Sequence, residues 1–258
     1  MPQLTIDPVP CLRDNYAWIA YDREDGICAI IDPSEAEPVR EALRQNGLTP
    51  THILNTHHHP DHVGGNLELK QAFGLTIVGP AKDAARIPGM DVGVNEGDVY
   101  TLGHHKARVF EIPAHTSGHI AFWFADDEAL FPGDTLFAMG CGRLFEGDPP
   151  MMWNSLSKLA KLPDATRVYC AHEYTESNGR FALSIEPNNK RLQTRMEEVL
   201  ATRAKGLPTL PSNIGDEKLT NPFLRATSRE IRQTLGLENA PDVEVFAEAR
   251  RRKDVFKG

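Results

Sequence analysis

The sequence predicts an α/β domain of about 170 residues followed by a helical appendage. Three observations predict it. Up to about Ala171, short β-branched or apolar runs alternate with helix-forming stretches. Beyond His172 the strand-like runs give way to helix formers. The polar residues gather where strands end, and in α/β folds those loops carry function on a rigid scaffold.

In chain order, Ile27 to Ile31 is a continuous apolar run that stops at Asp32-Pro33, as a buried strand would. Glu37 to Gln45 reads as a helix ended by Asn46-Gly47. Thr51 to Asn55 is a strand running into the densest polar cluster of the chain, Thr56-His57-His58-His59-Pro60-Asp61-His62. After Gly64-Gly65, Asn66 to Phe73 is a helix and Leu75 to Val78 a strand. Further strands are expected at Ala107 to Ile112, Ile120 to Phe124, Ala129 to Phe131 and Arg167 to Cys170, with a helix over Ser155 to Leu162. Helices are expected over Phe181 to Gly206, Ser228 to Leu235 and Val243 to Lys253, around a Pro/Asn-rich connector from Leu207 to Pro222.

The composition is that of an ordinary globular protein, 40% hydrophobic and 25% charged over 258 residues, long enough to bury a large core. A net charge of −8 repels phosphate, which argues against nucleic-acid or anionic-membrane partners. The basic run Arg250-Arg251-Arg252-Lys253 leaves room for a local anion site. The start MPQLTIDPVPCLRDNY lacks a signal-peptide pattern, and no apolar run approaches the ~20 residues of a membrane span, so a cytoplasmic location is expected. Cys11, Cys28, Cys141 and Cys170 form no C-x-x-C pair and read as free thiols in a reducing compartment.

Imidazole nitrogens and carboxylate oxygens hold zinc and its neighbours. The run His57-x-His59-x-Asp61-His62 packs four such groups together. Alternate residues of an extended loop face one way, so His57 and His59 can serve one metal, and Asp61 with His62 another. Each set is incomplete alone, and His115, Asp134 and His172, each in a Gly- or Pro-marked turn, can complete them. A carboxylate has two oxygens, so Asp134 can bridge. His52, His58, His104 and His105 are read as non-ligands, with His104-His105 in a polar surface turn; His119 is either a hydrogen-bonding neighbour of the site or structural. Asp32 is either an orienting partner for a ligand histidine or a turn residue before Pro33.

The order H-x-H-x-D-H, a lone His, Gly133-Asp134-Thr135 and a last His resembles the metallo-β-lactamase superfamily. The finer resemblance, over nearly the whole chain, is to the glyoxalase II hydroxyacylglutathione hydrolases. It is carried by His115-Thr116-Ser117-Gly118-His119, Gly140-Cys141-Gly142-Arg143-Leu144-Phe145-Glu146-Gly147, His172-Glu173-Tyr174-Thr175, Glu186-Pro187-Asn188, Asn221-Pro222-Phe223 and the basic tail with Asp254. The resemblance implies a four-layer α/β/β/α sandwich with a C-terminal helical domain, divided as a catalytic segment 1–173 and a substrate-binding segment 174–258. It implies two divalent metals, zinc with iron or manganese as alternatives, one on His57, His59 and His115, the other on Asp61, His62 and His172, with Asp134 bridging. Asp61 and Asp134 are the implied catalytic carboxylates. Arg143, Phe145, Tyr174, Arg250 and Lys253 are the implied contacts to a glutathione thioester. Some relatives carry Lys at the position of Arg143 and Tyr at that of Phe145.

The implied activity is hydrolysis of S-(2-hydroxyacyl)glutathione, with S-D-lactoylglutathione the expected substrate, by a hydroxide held between the metals, in a monomeric enzyme of methylglyoxal detoxification. The metals make hydroxide accessible near neutral pH, and a thiolate leaving group whose acid has a pKa of ~8.5 needs no protonation, so no Ser or Cys nucleophile is called for. Rival activities on the same fold are a lactamase, lactonase, phosphodiesterase or persulfide oxygenase, since fold does not fix function. A non-catalytic metal-binding or redox carrier is the rival of another class, but the chain has no spare module for a flavin or iron–sulfur cluster.

Overall fold

The computed structural model describes residues 3–258. They pack as two compact units. One runs to Glu111 and includes Thr116–Gly133; the other is Ile112–His115 with Asp134–Gly258.

The first unit opens with β1 (Thr5–Cys11) and β2 (Asn15–Asp22), an antiparallel pair with Thr5 opposite Tyr21 and Cys11 opposite Asn15. Pro8 and Pro10 hide β1 from sequence patterning. It is tolerated because β1 lies at the sheet edge, where a missing N–H breaks no ladder. Then come β3 (Ile27–Ile31), α1 (Ala36–Asn46), β4 (His52–Leu54), the single turn α2 (Pro60–Val63), α3 (Asn66–Phe73), β5 (Thr76–Pro80) and β6 (Val92–Val94). The sheet order is β1-β2-β3-β4-β5-β6, with β3 to β6 parallel. Val39 and Leu43 of α1 and Leu69 of α3 pack on Ile19, Ile30, Ile53 and Ile77. The alternate residues Trp18, Ile31, Leu54 and Val78 are buried too. Both faces are therefore covered, which is why β3 reads as an unbroken apolar run. Gly47 ends α1 in the left-handed region (φ 59°), its N–H reaching the Arg44 carbonyl. The unit closes with an antiparallel meander of β7 (Val99–Leu102), β8 (His105–Glu111), β9 (Ile120–Phe124) and β10 (Ala129–Phe131), each strand beside the next.

The second unit contains the small hairpin β11 (Leu136–Phe137) and β12 (Gly140–Cys141), then α4 (Pro149–Leu159), β13 (Arg167–Val168), α5 (Thr175–Ile185), α6 (Lys190–Arg203), β14 (Ser212–Asn213), α7 (Ile214–Thr220), α8 (Arg229–Leu235) and α9 (Asp242–Val255). α4 starts at Pro149 rather than Ser155, because Asp148 accepts the Met151 N–H at 2.9 Å and proline suits the first helical turn. The expected single helix over Phe181 to Gly206 is two helices. Pro187 breaks it, and the buried Glu186 fixes the break by accepting from Arg225 at 2.9 and 2.7 Å. Burial alone would raise the Glu186 carboxyl, but Arg225, Ser228 and Asn189 hold it below the usual range. The connector is not structureless either: Asn213 caps α7 by accepting the Asp216 N–H at 2.7 Å.

A buried ion pair, Arg195 to Glu217 at 2.6 Å, sits under the β11–β12 turn. Glu217 accepts the Met139 N–H at 2.8 Å, and Asn221 donates to the Phe137 and Gly140 carbonyls at 3.1 and 2.9 Å. Asn221-Pro222-Phe223 thus acts as a brace for this hairpin. Among the described residues no helix is long and apolar enough to cross a membrane.

Candidate metal centre

In the first unit the loop after β4 carries His57, His59, Asp61 and His62. Asp32, ending β3 with φ 50°, organises it. One Asp32 oxygen accepts the Thr56 N–H at 2.8 Å; the other accepts the Thr56 hydroxyl at 2.6 Å and faces His62 Nδ1 at 3.1 Å. Thr56 Oγ1, its proton given to Asp32, accepts from His57 Nδ1 at 3.1 Å. Both imidazoles are thereby held with Nδ1–H turned inward and the Nε2 lone pair outward. Of the two roles open to Asp32, the orienting one is observed. Asp32, His57 and His62 also lie close enough to form a ligand triad, but the Asp32 oxygens are occupied by these inward bonds.

The outward atoms crowd together. His57 Nε2 is 3.1 Å from His59 Nδ1, and His62 Nε2 is 3.6 Å from Asp61 Oδ2. Asn15, at the start of β2, donates to Asp61 Oδ2 at 3.1 Å and fixes that carboxylate. His58 faces the other way, to Asp83 at 3.0 Å and to Arg86, as alternation requires. His119 is fully buried and stacks on His57, centroids 4.5 Å apart at 17°, while its Nδ1 donates to the Ile120 carbonyl. It is a support behind the His57 ring.

In the second unit His115, Asp134 and His172 meet. His115 Nδ1 donates to the Arg143 carbonyl at 2.9 Å, which turns the Nε2 lone pair to Asp134 Oδ2 at 3.4 Å. His172 Nε2 lies 3.3 Å from the same oxygen. His172 is held flat on Tyr174, centroids 4.7 Å apart at 6°, with Phe137 edge-on. Gly142 is obligatory here: a Cβ would run into the Asp134 carbonyl and come 3.0 Å from His115 Nδ1.

These residues fit metal ions. Two ligands bound at ~2.0–2.2 Å on tetrahedral positions stand ~3.3–3.6 Å apart, and the separations found are 3.1, 3.3, 3.4 and 3.6 Å. The His115 Nε2 lone pair facing the Asp134 carboxylate at this distance is repelled unless a cation lies between them. Asp134 is only 7% exposed, which sharpens that need.

The anion-binding candidates also lie in the second unit. Arg250 is 6% exposed; its Nη1 donates to the Cys141 carbonyl at 2.8 Å and its Nη2 to Asp254 at 2.9 Å. Arg143 is largely exposed, with Nε 3.9 Å from Asp254. Lys253 donates to the Ser177 carbonyl and hydroxyl at 3.2 and 3.1 Å. Burial, then Arg250 and Arg143, push the Lys253 ammonium down to about 8. Tyr174 and Phe145 are exposed aromatics, Phe145 lying edge-on to His115 at 5.2 Å. Sequence reading did not find Thr56, Asn15, Ser177 or the Arg143 carbonyl. Only Thr56 carried a signal, its place beside His57.

The cysteines are poor nucleophiles. Burial pushes Cys141 up to about 11 despite Arg250, and Cys170 up to about 12. Cys170→Ala and Cys141→Ala are each expected to retain most of whatever turnover the metal centre supports; complete loss in a folded, metal-loaded variant would point to covalent catalysis.

Two family profiles match the chain, one described as metallo-beta-lactamase superfamily over residues 13–172 and one as hydroxyacylglutathione hydrolase C-terminus over 173–256. A hydroxyacylglutathione hydrolase of Methylococcus capsulatus is 56% identical over 255 residues, covering 99% of this chain and 100% of its own. The crystal structure of ETHE1 from Myxococcus xanthus is similar at 26% identity and a TM-score of 0.63, covering 94% of this chain and 97% of that one. A protein solved in a di-iron-bound form, also 26% identical, matches at a TM-score of 0.62 over 84% of this chain and all of its own.

Proposed function

This chain belongs to the hydroxyacylglutathione hydrolases of the metallo-β-lactamase superfamily, and we propose from that membership how its own residues carry out thioester hydrolysis. It is a hydrolase of S-hydroxyacylglutathione, with S-D-lactoylglutathione the proposed physiological substrate. The observation that carries the reading is the pair of convergent His/Asp constellations with every identified Nδ1 proton turned away from the convergence.

We assign one metal to His57, His59 and His115, the other to Asp61, His62 and His172, and both to Asp134. When bound, such a pair supplies an acidified water and a Lewis acid for the thioester carbonyl. We propose zinc, which suits the mixed imidazole–carboxylate donors; iron or manganese would suit them too. Asp32, Thr56 and the Arg143 carbonyl hold the imidazoles in the ligating tautomer. Tyr174 and Phe145 offer apolar faces to the thioester, and the cations Arg143, Arg250 and Lys253 draw in the glutathione carboxylate. The thiolate departs without a general acid, as its own pKa of ~8.5 allows.

We place the functional division at 173/174, although packing puts Ile112–His115 and the whole of Asp134–Gly258 in the second unit, because His172 is the last ligand in the proposed set. We propose a monomeric, cytoplasmic enzyme, and the net charge of −8 disfavours a nucleic-acid partner. Purified protein assayed with S-D-lactoylglutathione, a β-lactam and a phosphodiester is expected to turn over the thioester orders of magnitude faster than the others. Comparable turnover of the β-lactam or phosphodiester would overturn the assignment.

A further inference from the structure

A second meeting of histidines and carboxylates lies at the other end of β2. Asn15 begins that strand against Asp61, and Asp22 ends it, about 23 Å away at 3.2–3.4 Å per residue. Of the His104-His105 pair, expected in a polar surface turn, His104 does lie in the β7–β8 turn, but His105 does not. His105 starts β8 pointing inward and is 3% exposed.

The two imidazoles are built alike. His105 Nδ1 is 2.9 and 3.0 Å from the two oxygens of Asp127, and His104 Nδ1 is 2.9 Å from Asp25 Oδ2. Their other nitrogens converge on one atom: His105 Nε2 is 3.2 Å and His104 Nε2 3.7 Å from Asp22 Oδ2. Asp22 is pinned for this, its Oδ1 accepting the Glu24 and Asp25 N–H groups at 2.8 and 3.3 Å. Asp127 is pinned too, by the Leu4 N–H at 2.8 Å. Gly103 gives way to Asp25, since a Cβ there would collide with the Asp25 carboxylate. His104 Nε2 is sealed from solvent and makes no hydrogen bond.

A neutral His105 has one ring proton and two carboxylates to face, so one lone pair always points at a carboxylate oxygen. Three carboxylates surround two imidazoles, an excess of negative charge that a metal cation between the ring nitrogens and Asp22 would relieve, as would a second proton on His105. We propose that Asp22, His104 and His105 form a separate structural site for one divalent transition metal of the zinc class, with Asp25 and Asp127 orienting the ligand rings. The site would take three protein ligands, one from each of these side chains. It joins the β2–β3, β7–β8 and β9–β10 turns of the first unit, so its metal is a staple for that unit and has no part in turnover.

The test uses holoenzyme with its catalytic metals in place, dialysed against micromolar zinc, analysed for metal per chain and followed through thermal unfolding. Wild type is expected to hold one equivalent more than His104→Ala, and to unfold at a higher temperature with zinc than without it in excess. His104→Ala, folded by circular dichroism, is expected to weaken that equivalent by more than about a hundredfold, and Asp25→Ala by roughly tenfold to a hundredfold. Both variants are expected to keep wild-type kcat/KM for the thioester. Equal metal content in wild type and His104→Ala up to millimolar zinc would overturn the site. So would nitrogen-15 spectra of the zinc-dialysed protein showing both ring nitrogens of His105 protonated, because a proton would then fill the gap.

Discussion

Asp134→Ala is expected to strip metal from both positions and to lower thioester turnover by ~10³-fold or more, the scale set by losing acidified water and electrostatic stabilisation together. Each other ligand in the assignment serves one metal, whereas Asp134 serves two. The geometry within the second unit already has this form: one oxygen, Oδ2, stands 3.4 Å from His115 Nε2 and 3.3 Å from His172 Nε2. Removing a carboxylate whose near neighbours here are two imidazole nitrogens leaves no buried charge without a partner, so the metal-free fold should not suffer. The variant should therefore unfold no earlier than metal-free wild type while failing to turn over substrate. Asp134→Asn keeps the shape but loses the charge and one ligating oxygen, and should fall nearly as far. Metal analysis beside kcat decides the matter, and two metals per chain with normal turnover in Asp134→Ala would sink the bridge.

The candidate run was legible because its geometry is local. In His57-His58-His59, backbone alternation alone sets His58 apart from its neighbours, and the structure turns His58 to Asp83 accordingly. The orienting groups were legible only in part. Asp32 is marked by its place at a strand end, but the Arg143 carbonyl that fixes His115 is a main-chain atom with no residue signature. The same limit hid the fold's braces. Glu186 and Asn221 belong to motifs visible in the sequence, yet that they hold Arg225 and the β11–β12 carbonyls depends on contacts far along the chain. His105 was misread for a related reason. The pair His-His in a polar turn looks solvated, and only the packing of three turns reveals Asp22 and Asp127 on either side of the ring. β1 escaped because its two prolines forbid a central strand and permit an edge one, which local pattern cannot distinguish.

Replacing Arg143 and Lys253 together by alanine is expected to raise KM for a glutathione thioester by roughly tenfold to a hundredfold with kcat little changed. A carboxylate equally charged in ground and transition states contributes uniform binding, which appears in KM. Hydrogen bonds to charged groups are worth ~1.5–3 kcal/mol when sheltered; Arg143 is largely exposed, so its share is screened and falls toward the lower end. Arg250 is the wrong residue for a clean test. It holds the Cys141 carbonyl and Asp254, so Arg250→Ala should loosen the β11–β12 hairpin and lower thermal stability as well as binding. Lys253 adds a pH signature. Its ammonium, held down to about 8, is charged below that pH and neutral above it. KM should therefore rise as pH climbs through about 8 in wild type, and this limb should vanish in Lys253→Ala while the kcat profile stays as it was. The protonated lysine is disfavoured in the folded chain, so the same shift makes stability rise between about 8 and the ordinary lysine range; unfolding and binding thus respond to alkali in opposite directions. A small thioester without the glycine carboxylate should feel neither substitution, and salt should narrow the wild-type preference between the two substrates. If the double variant loses both substrates equally, these cations hold the fold and not the ligand; if it loses neither, recognition of glutathione lies elsewhere on the second unit.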